Sequence, residues 1–284
     1  MAPEVITTIP QLRDRVRRAR LAERRVGFVP TMGALHAGHR RLMDVARGEG
    51  DVLIVSVFVN PLQFDRPDDL EQYPRTLEND VDVCAAGGVD MVFAPSMSEM
   101  YPSDPVCVIE VGRVADHLCG RFRPGHFRGV ATVVMKLMEI TQADQAYFGE
   151  KDAQQLAVVR RLVEDFNVPI AIVGVPTVRE PDGLALSSRN QRLSADERRA
   201  APVLYRALKV AEQLIRSGDG DVAQVEAAAR QVIEDEHAVR LEYLQIVEPR
   251  EVQPVDRIDG PVIAAGAIWV GSTRLIDNVI CVPR

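Results

Sequence analysis

Four cysteines in 284 residues are too few and too scattered to hold this chain together. Cys84, Cys107, Cys119 and Cys281 form no C-x-x-C pair, and no His or Cys stands at zinc-finger spacing. A disulfide framework and a sequence-local zinc site are therefore excluded, and the thiols read as reduced, mostly buried small hydrophobes. Basic charge is also short: 34 Lys and Arg face 41 Asp and Glu, a net charge of −7. That balance excludes a general nucleic-acid binder but allows a local basic cluster for a small anion. No continuous apolar run occupies the first 21 residues, so a signal peptide and a transmembrane helix are not expected, no membrane partner is implied, and the expected compartment is the cytoplasm. Internal repeats and low-complexity tracts are missing too.

What is present is ordinary globular material, 46% apolar and 26% charged, enough for one large domain or two ordinary ones. Leu12, Val16 and Ala19 stand near helical spacing and predict a helix over 10–22. A strand at 26–29 then feeds a glycine-containing loop and a helix from about Gly38 to Arg47. Val52 to Val59 is almost continuously apolar and β-branched, the pattern of a strand buried on both faces. Strand, helix and strand make a βαβ unit. The pattern recurs with a helix at 76–86, strands at 91–94 and 106–111, a helix at 130–140, a strand at 145–148, a helix to Phe166 and a strand at 170–175; residues 95–104 read as loop. Near residue 177 the texture changes. A capping box at Ser194–Glu197 opens one long helix, a second covers 221–236, and 241–247, 262–270 and 274–282 alternate like antiparallel strands. The expected class is α/β, a Rossmann-like doubly wound parallel sheet over 1–177 followed by a smaller α+β domain over 178–284.

Three stretches can carry chemistry. His36 and His39, three apart where a strand and glycine loop enter a helix, can face one ligand; the positive end of the helix suits phosphate, and a metal pair is the rival reading. Lys151, in Glu150-Lys151-Asp152, stands between a strand and a helix at the edge where open α/β sheets bind ligands; a surface ion pair is the plainer reading. Ser187-Ser188-Arg189-Asn190 offers hydroxyls and a guanidinium to phosphates, or a capped turn. Arg121 to Gly129, with three arginines and His126, reads as either a solvated loop or an anion-binding loop before a helix.

His36-Ala37-Gly38-His39 resembles the HxGH signature of the nucleotidyltransferase superfamily. The longer set, Pro30 to His39, Phe58 to Phe64, Tyr73 to Thr76, Phe148 to Gln155 and Ser187 to Asn190, resembles the pantoate–β-alanine ligases over nearly the whole chain. The resemblance implies an AMP-forming ligase of pantothenate biosynthesis. In it the pantoate carboxylate attacks ATP to give pantoyl adenylate and pyrophosphate, and β-alanine then displaces AMP. It also implies roles. Met32, Gly33, His36, His39, Gly149, Lys151, Asp152, Val178, Leu186, Ser187, Ser188 and Arg189 bind ATP, with His36, His39, Lys151, Ser187, Ser188 and Arg189 catalytic. Gln63, Gln155, Asn60 and Thr31 bind pantoate. Mg²⁺ accompanies the triphosphate with little protein ligation, and no metal-ligand residue is assigned. A homodimer is implied, and the second domain would act as a lid. Three positions depart from the pattern: Asn79-Asp80 replaces an acidic pair, which puts a protein-held second metal in doubt; Leu186 stands where methionine can occur; and Arg40 replaces leucine. Two other readings remain, an HxGH adenylyltransferase that stops after AMP transfer and a nucleotide-binding module without catalysis. The Gln63/Gln155 pair and the second domain weigh against the first, the two histidines and Arg189 against the second.

Overall fold

Val52 to Ser56 are all buried, which a strand achieves only inside a sheet covered on both faces. The structure, a computed structural model, describes residues 2–283. Among them, β1 (Glu4–Ile6), β2 (Val26–Thr31), β3 (Val52–Val57), β4 (Met91–Phe93), β5 (Gln145–Gly149) and β6 (Ala171–Val175) pair in parallel in the order β1-β4-β3-β2-β5-β6. Helices connect these strands, giving the doubly wound α/β architecture. From β2 the sheet grows one way through β3 and β4 and the other way through β5 and β6. The order therefore reverses at the β2/β5 pair, and ligands of open α/β sheets bind outside the strand ends at such a point. Val29, Leu42, Met43, Val55 and Val92 belong to one core cluster of this sheet.

A second sheet, β7 (Val239–Val247), β8 (Val262–Val270) and β9 (Thr273–Cys281), is antiparallel in sequence order. The helices Val203–Arg216 and Val222–Glu234 share its core, where Leu204, Leu208, Ile215, Ile233 and Ile268 are buried.

The chain divides into two compact units. The first runs to Val111 and also takes Pro124–Glu150 and Val158–Pro176; the second comprises Gly112–Arg123, Lys151–Ala157 and the chain from Thr177. The sequence reading drew one boundary after 177. In the structure the chain last changes unit between Pro176 and Thr177, and two earlier segments group with the second unit, tied in by buried side chains. Gln154 donates to the carbonyls of Val114 and His117 at 2.8 Å each and accepts from Gly120 N–H at 3.3 Å. The Cys119 thiol lies 3.1 Å from the Tyr243 hydroxyl.

Several local expectations are corrected. Residues 106–111 form no strand: Val106 is exposed, and Ile109 N–H donates to the Thr132 hydroxyl instead of to a neighbouring strand. The expected loop at 95–104 holds a short helix, Met97–Met100, capped by Ser96. The helix expected over 130–140 already begins at His126. The long helix after Ser194 is two, Ala195–Ala200 and Val203–Arg216, because Pro202 has no N–H for the ladder. β1 carried too few residues to read. Cys84, Cys119 and Cys281 are buried and Cys107 is exposed. Burial pushes the Cys84 thiol up to about 12 and that of Cys281 to about 11, so both are unreactive at neutral pH.

Candidate active site

In the first unit, β2 ends at Thr31 and the chain turns through Met32–Leu35 into the helix Ala37–Glu49. Gly33 has φ +85° and Ala34 φ +51°. A Cβ on Gly33 would lie 2.8 Å from Asp80 Oδ2, so glycine is required there for space as well as for conformation. The loop's backbone N–H groups are largely spent inside the fold. Gly33 N–H donates to the Thr31 hydroxyl (3.2 Å), Ala34 and Leu35 N–H to the Asp80 carboxylate (3.1 and 2.8 Å), His36 N–H to His39 Nδ1 (3.3 Å) and Gly38 N–H to His36 Nδ1 (3.1 Å).

This corrects the sequence reading, which took the backbone of the loop and helix end as the anion site. The histidines cap the helix reciprocally, with ring centroids 4.2 Å apart. A nitrogen that accepts an N–H carries no proton, so each neutral imidazole is protonated at Nε2. The pair thus offers N–H donors, which suit phosphate oxygens. A metal bound at Nε2 would need the other tautomer, and both capping bonds would be lost. The rival metal reading therefore conflicts with the geometry.

The turn after β3 holds the next group. Asn60 is buried: its Oδ1 accepts from the Tyr101 hydroxyl (3.0 Å), and its Nδ2 donates to Gln63 Oε1 and to the Gly129 carbonyl (3.1 Å each). Gln63 Nε2 lies 3.1 Å from Met32 Sδ. Asn60 therefore fixes which end of the Gln63 amide is oxygen, and Met32 joins the glutamine to the histidine loop. Two contacts that sequence reasoning missed brace this turn. His126 Nδ1 donates to the Gln63 carbonyl at 2.7 Å. Gly129 lies so close that a Cβ there would sit 2.1 Å from the Leu62 carbonyl oxygen. Arg128, in the same stretch, pairs with Glu110 at 3.0 Å. The 121–129 stretch is thus no single anion loop: His126 and Arg128 have other work, and Arg121 and Arg123 belong to the second unit. The Thr31 hydroxyl is also engaged, donating to the Ser56 carbonyl at 2.6 Å. Met32 lines a cavity of about 470 Å³ walled mainly by apolar groups, among them Val57, Phe58, Leu70 and Met97.

In the second unit, Lys151 lies in a turn of 3₁₀ helix, Glu150–Asp152, directly after Gly149 ends β5. Its side chain is 19% exposed, with Nζ 3.6 Å from Asp152 Oδ1, and its carbonyl accepts from Asn278 Nδ2 at 2.8 Å. Gln155 stands half-buried in the first turn of the helix Ala153–Asp165, whereas its neighbour Gln154 is structural. Val178 and Leu186 meet across a tight hairpin, Leu186 N–H donating to the Val178 carbonyl at 3.0 Å. Ser187 follows directly and caps Ser188–Arg192, its hydroxyl accepting from Arg189 N–H at 3.3 Å. Asn190 donates to the Ala185 carbonyl at 3.0 Å, while its buried Oδ1 meets no donor among the described residues.

The hairpin is anchored by Arg179. Its guanidinium donates to both Asp277 oxygens (2.5 and 2.9 Å) and lies 4.0 Å from the centre of the Tyr205 ring. Burial raises the Asp277 carboxyl; the bonds and charge of Arg179, and the charge of Lys151, oppose this.

The sequence-predicted residues therefore fall into two sets. Thr31, Met32, Gly33, His36, His39, Asn60 and Gln63 are joined in the first unit, which also holds Gly149. Lys151, Asp152, Gln155, Val178, Leu186, Ser187, Ser188 and Arg189 lie on the second.

Residues 4–280 match the family model described as pantoate-beta-alanine ligase. A pantothenate synthetase of Caldicellulosiruptor saccharolyticus is 46% identical over 97% of this chain and 98% of that protein. Among solved structures, the pantothenate synthetase of Thermus thermophilus is similar with a TM-score of 0.92 and 45% identity, over 97% of this chain and 98% of that one. The pantoate-beta-alanine ligase of Francisella tularensis, complexed with beta-gamma ATP and beta-alanine, is similar with a TM-score of 0.81 and 35% identity, over 98% of both chains.

Proposed function

The chain belongs to the pantoate–β-alanine ligase family, and from that premise we propose how its own residues carry the reaction. It is an ATP-dependent ligase that condenses pantoate with β-alanine through pantoyl adenylate, releasing AMP and pyrophosphate. A free carboxylate does not acylate amines, because oxide is too poor a leaving group. Adenylation replaces oxide with AMP, so the chain's task is to hold the triphosphate and receive the charge that gathers on departing pyrophosphate.

His36 and His39 do this in the first unit. The observation that carries the assignment is that both Nδ1 atoms are tied to backbone N–H groups, which makes Nε2–H the donor of each ring. Lys151, Ser187, Ser188 and Arg189 supply charge and donors from the second unit. Gly149, Asp152, Val178 and Leu186 hold ribose and adenine. The buried acceptor Asn190 Oδ1 would take a ligand O–H or N–H, since leaving it unsatisfied costs about 1–3 kcal/mol. Gln63, oriented by Asn60, grips pantoate with Gln155; Met32 gives its methyl groups an apolar wall, and Thr31 shapes the loop beside them.

Mg²⁺ would accompany ATP with little protein ligation and would supply positive charge to the triphosphate that His36, His39 and Lys151 hold. Among the described residues no group of three or more His, Cys, Asp or Glu side chains is placed to hold a metal ion. A homodimer and a cytoplasmic location rest on family membership; no described helix is long and apolar enough to cross a membrane. Light scattering at working concentration tests the dimer.

The reading is tested by following AMP release as ATP, pantoate or β-alanine is withheld; AMP formed without pantoate would overturn it. His39→Asn separates capping from catalysis, because Asn Oδ1 can replace Nδ1 as acceptor while Nε2–H is lost. Adenylation is expected to fall about 10²-fold at an unchanged melting temperature; full activity would remove His39 from the mechanism. Gly129→Ala displaces the Gln63 turn, so the pantoate KM should rise while the ATP KM holds. Equal changes in both would contradict the assignment of Gln63.

A further inference from the structure

One carboxylate stands behind the histidine loop without any part in the chemistry so far. Asp80 is fully buried in the first turn of the helix Leu77–Ala86. Each of its oxygens accepts one backbone N–H of the loop, Oδ2 from Ala34 at 3.1 Å and Oδ1 from Leu35 at 2.8 Å. The loop it holds is not at rest by itself. Ala34 stands in the left-handed region at φ +51°, a conformation that a residue with a Cβ adopts only when something holds it there. Gly33 turns its bare Cα toward Asp80 Oδ2. Next along the chain is His36, whose N–H and Nδ1 set the reciprocal cap.

We propose that Asp80 is a positioning residue for adenylation: its buried carboxylate fixes the Gly33–Leu35 turn and, through it, the direction of the His36 and His39 donors. The proposal rests on the reading of these histidines as phosphate donors. Charge-assisted bonds to two successive amides are shorter and stronger than neutral ones. Transition-state donors act only when held in place beforehand. The same bonds make Asp80 a poor metal ligand, because both oxygens already accept and the group has no exposure. At this position a carboxylate does what asparagine cannot: two N–H groups converge on the side chain, and an amide offers only one oxygen.

Asp80→Asn in the full chain tests this. Pantoate-dependent AMP formation is expected to drop roughly 10-fold with a raised ATP KM, as a small misplacement of catalytic groups does. The β-alanine KM and the Mg²⁺ concentration for half-maximal rate should not move. Unchanged kinetics would overturn the proposal, and so would a loss matched by the loss of folded protein with every KM unaltered. A raised Mg²⁺ requirement would make Asp80 a metal ligand and overturn it as well. Gly33→Ala pushes on the same carboxylate from the loop side and should give the same signature.

If neither variant folds, the wild-type protein decides. The Ala34 and Leu35 amide protons should exchange slowly with solvent, and fast exchange at both would sink the proposal. A normal Asp80→Asn beside an impaired His39→Asn would remove Asp80 and leave the histidine assignment standing; two normal variants would remove that assignment as well.

Discussion

Lys151→Ala is expected to slow adenylation by about 10²- to 10³-fold, the loss that follows removal of one preorganised electrostatic donor, equivalent to about 2.7–4 kcal/mol of transition-state stabilisation. The main chain of Lys151 is held by Asn278 Nδ2, so the ammonium works from a fixed base. It is mostly buried and has a weak partner in Asp152 at 3.6 Å, an arrangement open to a stronger anion. Because the charge gathers on pyrophosphate only as it leaves, kcat should fall more than ATP affinity. The second half-reaction, β-alanine with preformed pantoyl adenylate, should be much less affected. Single-turnover measurement of adenylate formation checks this, and an unchanged rate would take Lys151 out of the mechanism. Lys151→Arg should not rescue fully, since a planar fork does not replace a compact charge.

Arg179→Ala is expected to cost about 3–5 kcal/mol of stability, because it strands a buried carboxylate. Asp277 is 5% exposed; it takes its two charge-assisted bonds from Arg179 and keeps only the Asn278 backbone N–H, at 2.8 Å, when that guanidinium is removed. The sign with pH follows from burial, which already raises the Asp277 carboxyl in the folded state. Losing Arg179 raises it further, so the folded variant prefers the neutral acid. The penalty is full above that raised value and shrinks as pH falls toward the unfolded value near 3.9. Relative to wild type, Arg179→Ala should thus be least stable at neutral pH and recover part of its loss in acid. Asp277→Asn in the same chain should restore much of the stability at neutral pH, as removing both charges often does. Thermal melts across pH check both statements, and a pH-independent deficit would show that the lost packing on Tyr205 dominates.

The parts of the fold that sequence showed well are those where one local signal is strong. Val52 to Val57 is apolar enough to demand a sheet interior, and Ser194–Glu197 forms its capping box. Segments decided by distant contacts were misread. Val106 to Val111 has strand-like residues but no strand to pair with, and β1 exists only because β4 lies beside it. At the candidate site, motif and resemblance single out His36, His39, Asn60, Gln63 and Lys151. Their wiring was not legible. No spacing rule announces that His36 and His39 cap each other, that Asp80 reaches back 46 residues to Ala34, or that His126 reaches 63 residues to the Gln63 carbonyl. A glycine at 129 gave a faint hint, since a bare Cα in an apolar helix implies close approach, but the neighbour it approaches is invisible in one dimension.

The interleaved make-up of the second unit bears on how the protein is made. Cys119 and its partner Tyr243 are 124 residues apart, and Arg274 reaches Cys119 across 155. On the ribosome, at about 5–20 residues per second, Cys119 waits roughly 6–25 s before Tyr243 is even polymerised. Gly112–Arg123 must pass that interval with its apolar groups unshielded, a window in which a chaperone has something to hold. A gene cut after residue 177 would leave this segment, with Gln154 and Cys119, without the strands that bury it.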